Sequence, residues 1–267
     1  MNYTIIGTIH GYQVNDILPF IKSIEESGFI GRKIMIVYEN DKNIETILKK
    51  YGWEIEQRIF YNSTVIYNQR LIDASKIVKN IDTDIVLFLD VFDIVFNKNP
   101  IEWIEKNFKG GVLSTSESLK FKDDDWSTFI GSFFPNEWDW IKDNEIQNCG
   151  VIVGERLVVS NLLNSMFFMG IGINKNNYPF DQITFNIQVY DSKYNTQFIK
   201  QQEGFVCHLT LKDKYKEPYF FTEKLPTIIG SKVYNDIGEE YYVIHQYKKI
   251  AILKEHYEKI YHVENIT

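Results

Sequence analysis

Cysteine is scarce in this chain: Cys149 and Cys207 are the only two in 267 residues. That excludes a disulfide framework and a structural zinc centre built from several thiolates, and allows one bridge at most. Proline is sparse too, with 6 residues, and no stretch is rich in Pro, Gly or Ser, so nothing reads as a linker. No apolar run reaches the roughly 18 residues of a membrane span. The longest candidate, Val151 to Ile173, is interrupted by Glu155 and Arg156. The first residues lack a basic segment and a long apolar run, so no signal peptide is expected. A basic excess is also missing: 29 Lys and Arg face 36 Asp and Glu, a net charge of −7. This argues against a nucleic-acid partner. Together the absences make a cytoplasmic location the expectation.

The composition that remains, 44% hydrophobic and 24% charged, is that of a globular protein. The length allows one large domain or two small ones, and without a linker one domain over residues 1–267 is expected. Its first hundred residues alternate between two periods. Tyr3 to Gly7 reads as a strand, and Ile17, Leu18, Ile21 and Ile24 then recur at helical spacing. Lys33 to Tyr38 is a second strand. Asn40 and Asp41 are placed to cap a helix carrying Ile44, Ile47 and Leu48. Trp53 to Phe60 alternates as a third strand, and Ser63 is placed to cap a helix through Val65, Leu71, Ile72 and Val78. Asp84 to Leu89 is a strand apolar on both faces, as in the centre of a parallel sheet. The alternation predicts an α/β fold, a mostly parallel sheet with helices on both faces. Residues 115–147, aromatic, acidic and poorly periodic, read as a long excursion over the sheet's carboxyl edge. Gly150 to Gly154 returns to strand, with helices through Leu162, Leu163 and Met166 and over Phe180 to Val189. Phe205 to Cys207 and Tyr241 to Ile244 read as late strands. No tight hairpin signal such as Asn-Gly occurs.

The strongest chemical signal follows the central strand: Leu89-Asp90-Val91-Phe92-Asp93. Ligands of open α/β sheets bind outside the carboxyl ends of the strands. Two carboxylates there repel each other unless a cation lies between them. A hard divalent ion such as Mn²⁺ or Mg²⁺ meets that need; two ordinary turn and cap residues are the plainer alternative. Other chemistries are excluded by pattern. There is no Walker P-loop, no G-x-G-x-x-G, no H-E-x-x-H and no G-x-S-x-G elbow. A haloacid-dehalogenase-like phosphatase would have one residue, not two, between its aspartates.

The stretch Asp84 to Phe96 resembles the metal-binding strand of GT-A fold glycosyltransferases. It looks closest to the glycosyltransferase domain of procollagen lysyl hydroxylases and the related collagen galactosyltransferases. Those share a D-x-x-D motif with an aromatic before the second Asp, the position of Phe92. Further pieces follow in order: Tyr67-Asn68-Gln69-Arg70, Leu113-Ser114-Thr115-Ser116-Glu117, Asn148-Cys149-Gly150, Phe180-Asp181-Gln182 and Val243-Ile244-His245-Gln246-Tyr247-Lys248. Ser116 and Cys149 stand where the family segments have Ala and Ser. Two departures stand out: a single Asp precedes Gln182 where the collagen enzymes carry a run of acids, and Gln246-Tyr247 replaces the Gly-rich turn after their late His.

The resemblance implies a Rossmann-like GT-A domain with a nucleotide-binding half, about 1–100, and an acceptor-side half, about 101–267. It implies a metal-dependent hexosyltransferase that uses a nucleotide sugar, a UDP-hexose first, on a glycan, lipid-linked or protein acceptor. Asp90, Asp93 and His245 would hold Mn²⁺, with Mg²⁺ as the alternative. His10 and His208 rank below His245 as ligands. Thr8, Ile9, Tyr12 and Glu39 would face the base or ribose, and Val91 and Phe92 would lie under the ribose. Arg70 and Lys248, or Lys249, would face the diphosphate, and Asn148 and Gln182 the sugar. If the reaction inverts the anomeric centre, Asp181 and Glu117 are the candidates for the acceptor proton; if it retains configuration, no dedicated base is needed and Asp181 would only bind the sugar. Trp126, Trp138 and Trp140 are candidates to stack on an acceptor sugar or to form the core of the excursion. The alternatives are a metal-dependent hydrolase or nucleotidyltransferase, or a non-catalytic sugar-binding relative. A nucleotidyltransferase is disfavoured because Thr8 to Tyr12 contains no Arg or Lys.

Overall fold

The computed structural model describes residues 1–61, 65–173, 178–209, 211–212, 217–218, 227–230, 232–235 and 238–262. The expected alternation forms the first part of the chain. Strand β1 (Tyr3–Ile9) leads to α1 (Val14–Glu26), β2 (Arg32–Val37) to α2 (Lys42–Lys50), and β3 (Glu54–Gln57) to α3 (Ile66–Asn80). Then come β4 (Ile85–Leu89), the short β5 (Ile94–Phe96) and α4 (Pro100–Asn107). Asp41 caps α2 by accepting from the Asn43 and Ile44 amides at 2.8 and 3.3 Å. The cap expected of Ser63 lies outside the described residues; α3 follows Val65, which makes no side-chain cap. The third strand is shorter than its alternation predicts, four residues at the sheet edge.

The second part holds β6 (Val112–Lys120), α5 (Asp125–Gly131), α6 (Pro135–Ile141), β7 (Glu145–Glu155), α7 (Arg156–Ile171), α8 (Asp181–Tyr190) and β8 (Thr196–Ile199). After these come β9 (Val206–His208), β10 (Leu211–Lys212), β11 (Glu217–Pro218), β12 (Thr227–Ile229), β13 (Lys232–Tyr234), β14 (Val243–His245) and α9 (Ala251–Ile260). The excursion is therefore narrower than expected: residues 115–120 and 145–147 belong to paired strands, with α5 and α6 between them. The periodic signal fails there because β6 buries polar side chains, Ser114, Thr115, Ser116 and Glu117. The β6–β7 register also shifts twice along the pair. A hairpin that carried no Asn-Gly signal joins β12 to β13, with Gly230 at φ +63°. Both cysteines are buried and free, so the one bridge the sequence allowed is not made.

Seven strands form one mixed sheet in the order β3-β2-β1-β4-β7-β6-β8. All neighbours are parallel except β7, which runs antiparallel to both β4 and β6. The strands alternate sides. Ile5, Met35, Leu87 and Val153 pack with α1 and α2 on one face; Ile6, Ile36, Phe88 and Ile152 pack with α3 and α7 on the other. That two-sided burial explains the continuous apolar run of β4. The chain leaves β1 toward β2 and β3, then returns to add β4 on the other side of β1. The order thus reverses between β1 and β4, and the loops after these two strands diverge to open a crevice. A smaller sheet, β5-β14-β9, lies beside this crevice. Among the described residues no helix is long and apolar enough to cross a membrane.

Candidate functional site

Asp90 is the first residue after β4, at the reversal point, and its amide donates to the Gly150 carbonyl at 2.9 Å. Its two carboxylate oxygens have different partners. Oδ1 accepts from Nη1 of Arg70, a guanidinium only 5% exposed. Oδ2 faces His245 Nε2 at 3.7 Å. The same Nε2 lies 3.4 Å from Asp93 Oδ1. Sheet register explains the meeting: β14 runs antiparallel to β5, setting His245 opposite Ile94, the residue after Asp93.

Neither His245 contact is a good direct hydrogen bond, yet the three ligand atoms all lie within 4.8 Å of one another. Two carboxylates and one imidazole are a donor set that suits Mn²⁺, and Mg²⁺ less well because of the nitrogen. Space around the trio is kept open by Gly150. A Cβ there would lie 2.6 Å from His245 Cε1 and 2.7 Å from Asp90 Oδ2. The residues present therefore fit a divalent cation.

Arg70 also donates through Nη2 to Asp181 Oδ2 at 2.9 Å, tying the first residue of α8 to the end of β4. Burial would push the Asp90 carboxyl up, but Arg70 and then His245 outweigh it and hold the group well below the usual carboxylate range. For Asp181 burial wins: its carboxyl is raised despite Arg70, and the charge of Asp90 adds to the rise. Burial pulls the His245 imidazole down, but the Asp93 and Asp90 carboxylates dominate and lift it to about 9.

A cavity of about 320 Å³ opens beside these groups. Asp90, His245, Gly150, Asp181 and Gln182 line it, together with Glu117, Asn148, Asp124, Trp126 and Lys249. Asn148 donates to Glu117 Oε1 at 2.6 Å and accepts from the Gly150 amide at 2.7 Å. Gln182 accepts from the Cys149 amide at 3.1 Å and donates to the Gln147 carbonyl. Gln182 thus ties α8 to β7, and Asn148 ties β7 to β6, beside the cavity. Asp124 caps α5 and so presents Trp126, 44% exposed, at the cavity's rim.

The structure brings Asp90, Asp93, His245, Arg70, Asp181, Gln182, Glu117 and Asn148 into one place. The remaining sequence candidates are distributed differently. Ile9 and Val91 are core side chains facing α1, so only their backbone is open to a ligand. Thr8 is buried at the end of β1. Tyr12 and Phe92 pack with ring centroids 5.1 Å apart across the crevice between the β1 and β4 loops. Lys248 lies 3.4 Å over the Phe92 ring and 3.3 Å from Asp16, away from the cavity, whereas Lys249 lines it. Glu39 accepts from the Gly11 amide and lies 3.0 Å from His10 Nδ1. Trp138 packs edge-on to Phe121 and against Gly131, and Trp140 does not line the cavity.

Two participants carried a weaker sequence signal. Gly150 is one of two glycines inside β7, and a glycine in a strand interior marks a close approach. His208 ends β9 as His245 ends β14, each after an apolar run, and the parallel pairing sets the two side by side. No family model matches the chain, and no curated protein matches it.

Proposed function

We propose that this protein is a metal-dependent glycosyltransferase of the GT-A type that transfers a hexose from a UDP-sugar to an acceptor hydroxyl. The observation that carries the reading is the Asp90–Asp93–His245 trio at the strand-order reversal, beside a polar cavity of sugar size. The order of β1, β4 and the antiparallel β7 supports the fold assignment.

In this reading Asp90, Asp93 and His245 hold Mn²⁺. The ion supplies positive charge where the departing diphosphate gathers negative charge. Arg70 fixes Asp90 so that one oxygen stays turned to the ion. Tyr12, Phe92, Thr8 and Glu39 border the crevice for the nucleoside, and Lys248, over the Phe92 ring, and Lys249, at the cavity, are the lysines available to the diphosphate. Asn148 and Gln182 hold the cavity floor against which the hexose rests. Asp181 and Glu117 are the carboxylates available to an acceptor hydroxyl, and Trp126 offers a flat apolar face at the rim for the acceptor.

The test is release of UDP across a panel of UDP-sugars, with Mn²⁺ and with chelator, for wild type and Asp93→Ala. Metal-dependent release from one or two donors, lost in Asp93→Ala, is the expected result. No release, together with no metal-dependent UDP binding by calorimetry, would overturn the reading in favour of another nucleotide or a hydrolase.

A further inference from the structure

The metal-facing edge of His245 accounts for one of its nitrogens; the other points into the protein. His245 Nδ1 lies 3.0 Å from Nδ1 of His208, and His208 Nε2 lies 2.7 Å from Thr115 Oγ1. All three residues are buried, His208 completely. Both nitrogens of His208 are thus occupied, and neither is free to reach an ion. The three come from three strands: His245 from β14, His208 from its parallel neighbour β9, and Thr115 from β6 of the large sheet. The contact joins the two sheets.

We infer that Thr115 and His208 form a relay that holds His245 with Nε2 turned to a divalent cation, making His208 a positioning residue rather than a ligand. This rests on the metal reading of Asp90, Asp93 and His245. The proton count gives the relay a direction. A His245 that coordinates through Nε2 carries its remaining proton on Nδ1. That proton needs an acceptor, and the atom facing it is His208 Nδ1. An accepting Nδ1 puts the His208 proton on Nε2, where the Thr115 hydroxyl oxygen accepts it. If the relay ran the other way, His245 would carry its proton on Nε2, facing Asp90 and Asp93, and could not bind the ion. Thr115 therefore matters although it lies two residues removed from the metal. With no oxygen there, the buried Nε2–H would lack an acceptor and the tautomer that permits coordination would be penalised.

The experiment measures Mn²⁺ affinity of the whole chain by calorimetry and electron paramagnetic resonance, with folding checked by circular dichroism. His208→Leu removes the acceptor at similar volume and is expected to weaken Mn²⁺ binding about 10–100-fold. His208→Asn, whose side-chain oxygen sits near the Nδ1 position, should recover most of that loss. Thr115→Val should weaken binding while Thr115→Ser does not. Nitrogen NMR of histidine-labelled, Zn²⁺-loaded protein should find the His208 proton on Nε2. A folded His208→Leu that binds Mn²⁺ as tightly as wild type would overturn the relay, and so would a proton on His208 Nδ1. If His208→Leu does not fold, equal affinity in Thr115→Val and Thr115→Ser overturns it instead. Wild type that binds no Mn²⁺ would sink the metal reading as well, which separates the two failures.

Discussion

Asp90 and Asp181 sit on opposite sides of one guanidinium, and their surroundings drive them apart. Asp90 has two cations, Arg70 on Oδ1 and His245 near Oδ2, and stays ionised well below its ordinary range. Asp181 has only the other half of Arg70, and its burial raises it. The count of cations and depth work in the same direction, since the Asp90 side chain keeps 27% of its exposure and that of Asp181 only 10%. One wall of the site is thus built to keep a charge and gather a cation. The other wall keeps a carboxylate closer to the point of taking a proton, as a group facing an acceptor hydroxyl must.

Removing the shared cation tests the comparison most severely. Arg70→Met leaves Asp90 and Asp181 facing each other with nothing positive between them. Breaking a buried ion pair from one side costs about 3–5 kcal/mol, and that loss is expected at pH 7 in urea denaturation. It should shrink on acidification, because a proton on Asp181 then relieves the repulsion. A loss under about 1 kcal/mol, the range of an exposed pair, would mean that Arg70 is not what separates the two walls.

The two walls are next separated by one-atom changes. Asp93→Asn should weaken Mn²⁺ binding by more than the roughly 10–100-fold typical of an outer partner. Asp181→Asn should leave Mn²⁺ affinity within a few-fold of wild type while lowering acceptor-dependent turnover about 10²–10⁴-fold. Equal loss of metal binding in both variants would show the walls to be one unit. A narrower probe is Gly150→Ala, which inserts a methyl against His245 and Asp90. Forcing an extra carbon into packed space costs about 1–3 kcal/mol, read as a lower Tm, and Mn²⁺ binding should fall with it while the Asp181 side is spared.

The sequence made one wall far easier to read than the other. Acids directly after a strand apolar on both faces are conspicuous, so Asp90 and Asp93 stood out, and the β–α alternation of the first hundred residues was equally plain. The strand β6 was not, because its buried Ser114, Thr115, Ser116 and Glu117 look like a loop when their partners in β7, β8 and β9 are unknown. The pairing of His208 with His245 depends on the register between β9 and β14, which no local pattern encodes. Lys248 and Lys249 share the short 3-10 turn at Tyr247–Lys249, after Gln246 in the left-handed region, and diverge there in a way no local pattern encodes. Adjacent residues on such a turn point in different directions, and Lys249 is the one at the cavity.

The mildest probe is pH, read above 6.5 through His245 on the charged wall. In the metal-free chain His245 is lifted from its ordinary 6.5 to about 9 by Asp93 and Asp90, against the opposing pull of burial. A raised histidine contributes stability that is full below pH 6.5 and is lost as pH climbs through about 9. Metal binding runs the other way, since coordination through Nε2 requires that proton to leave. Mn²⁺ affinity should therefore rise about tenfold per pH unit between pH 6.5 and 8, while the stability of the metal-free chain declines over the same interval. Calorimetry and urea denaturation at three pH values under nitrogen read the two slopes. His245→Gln should flatten both, whereas Asp181→Asn should leave both in place. If affinity were flat in pH, the proton on His245 would not compete with the ion, and the imidazole would have to lie outside the metal's reach.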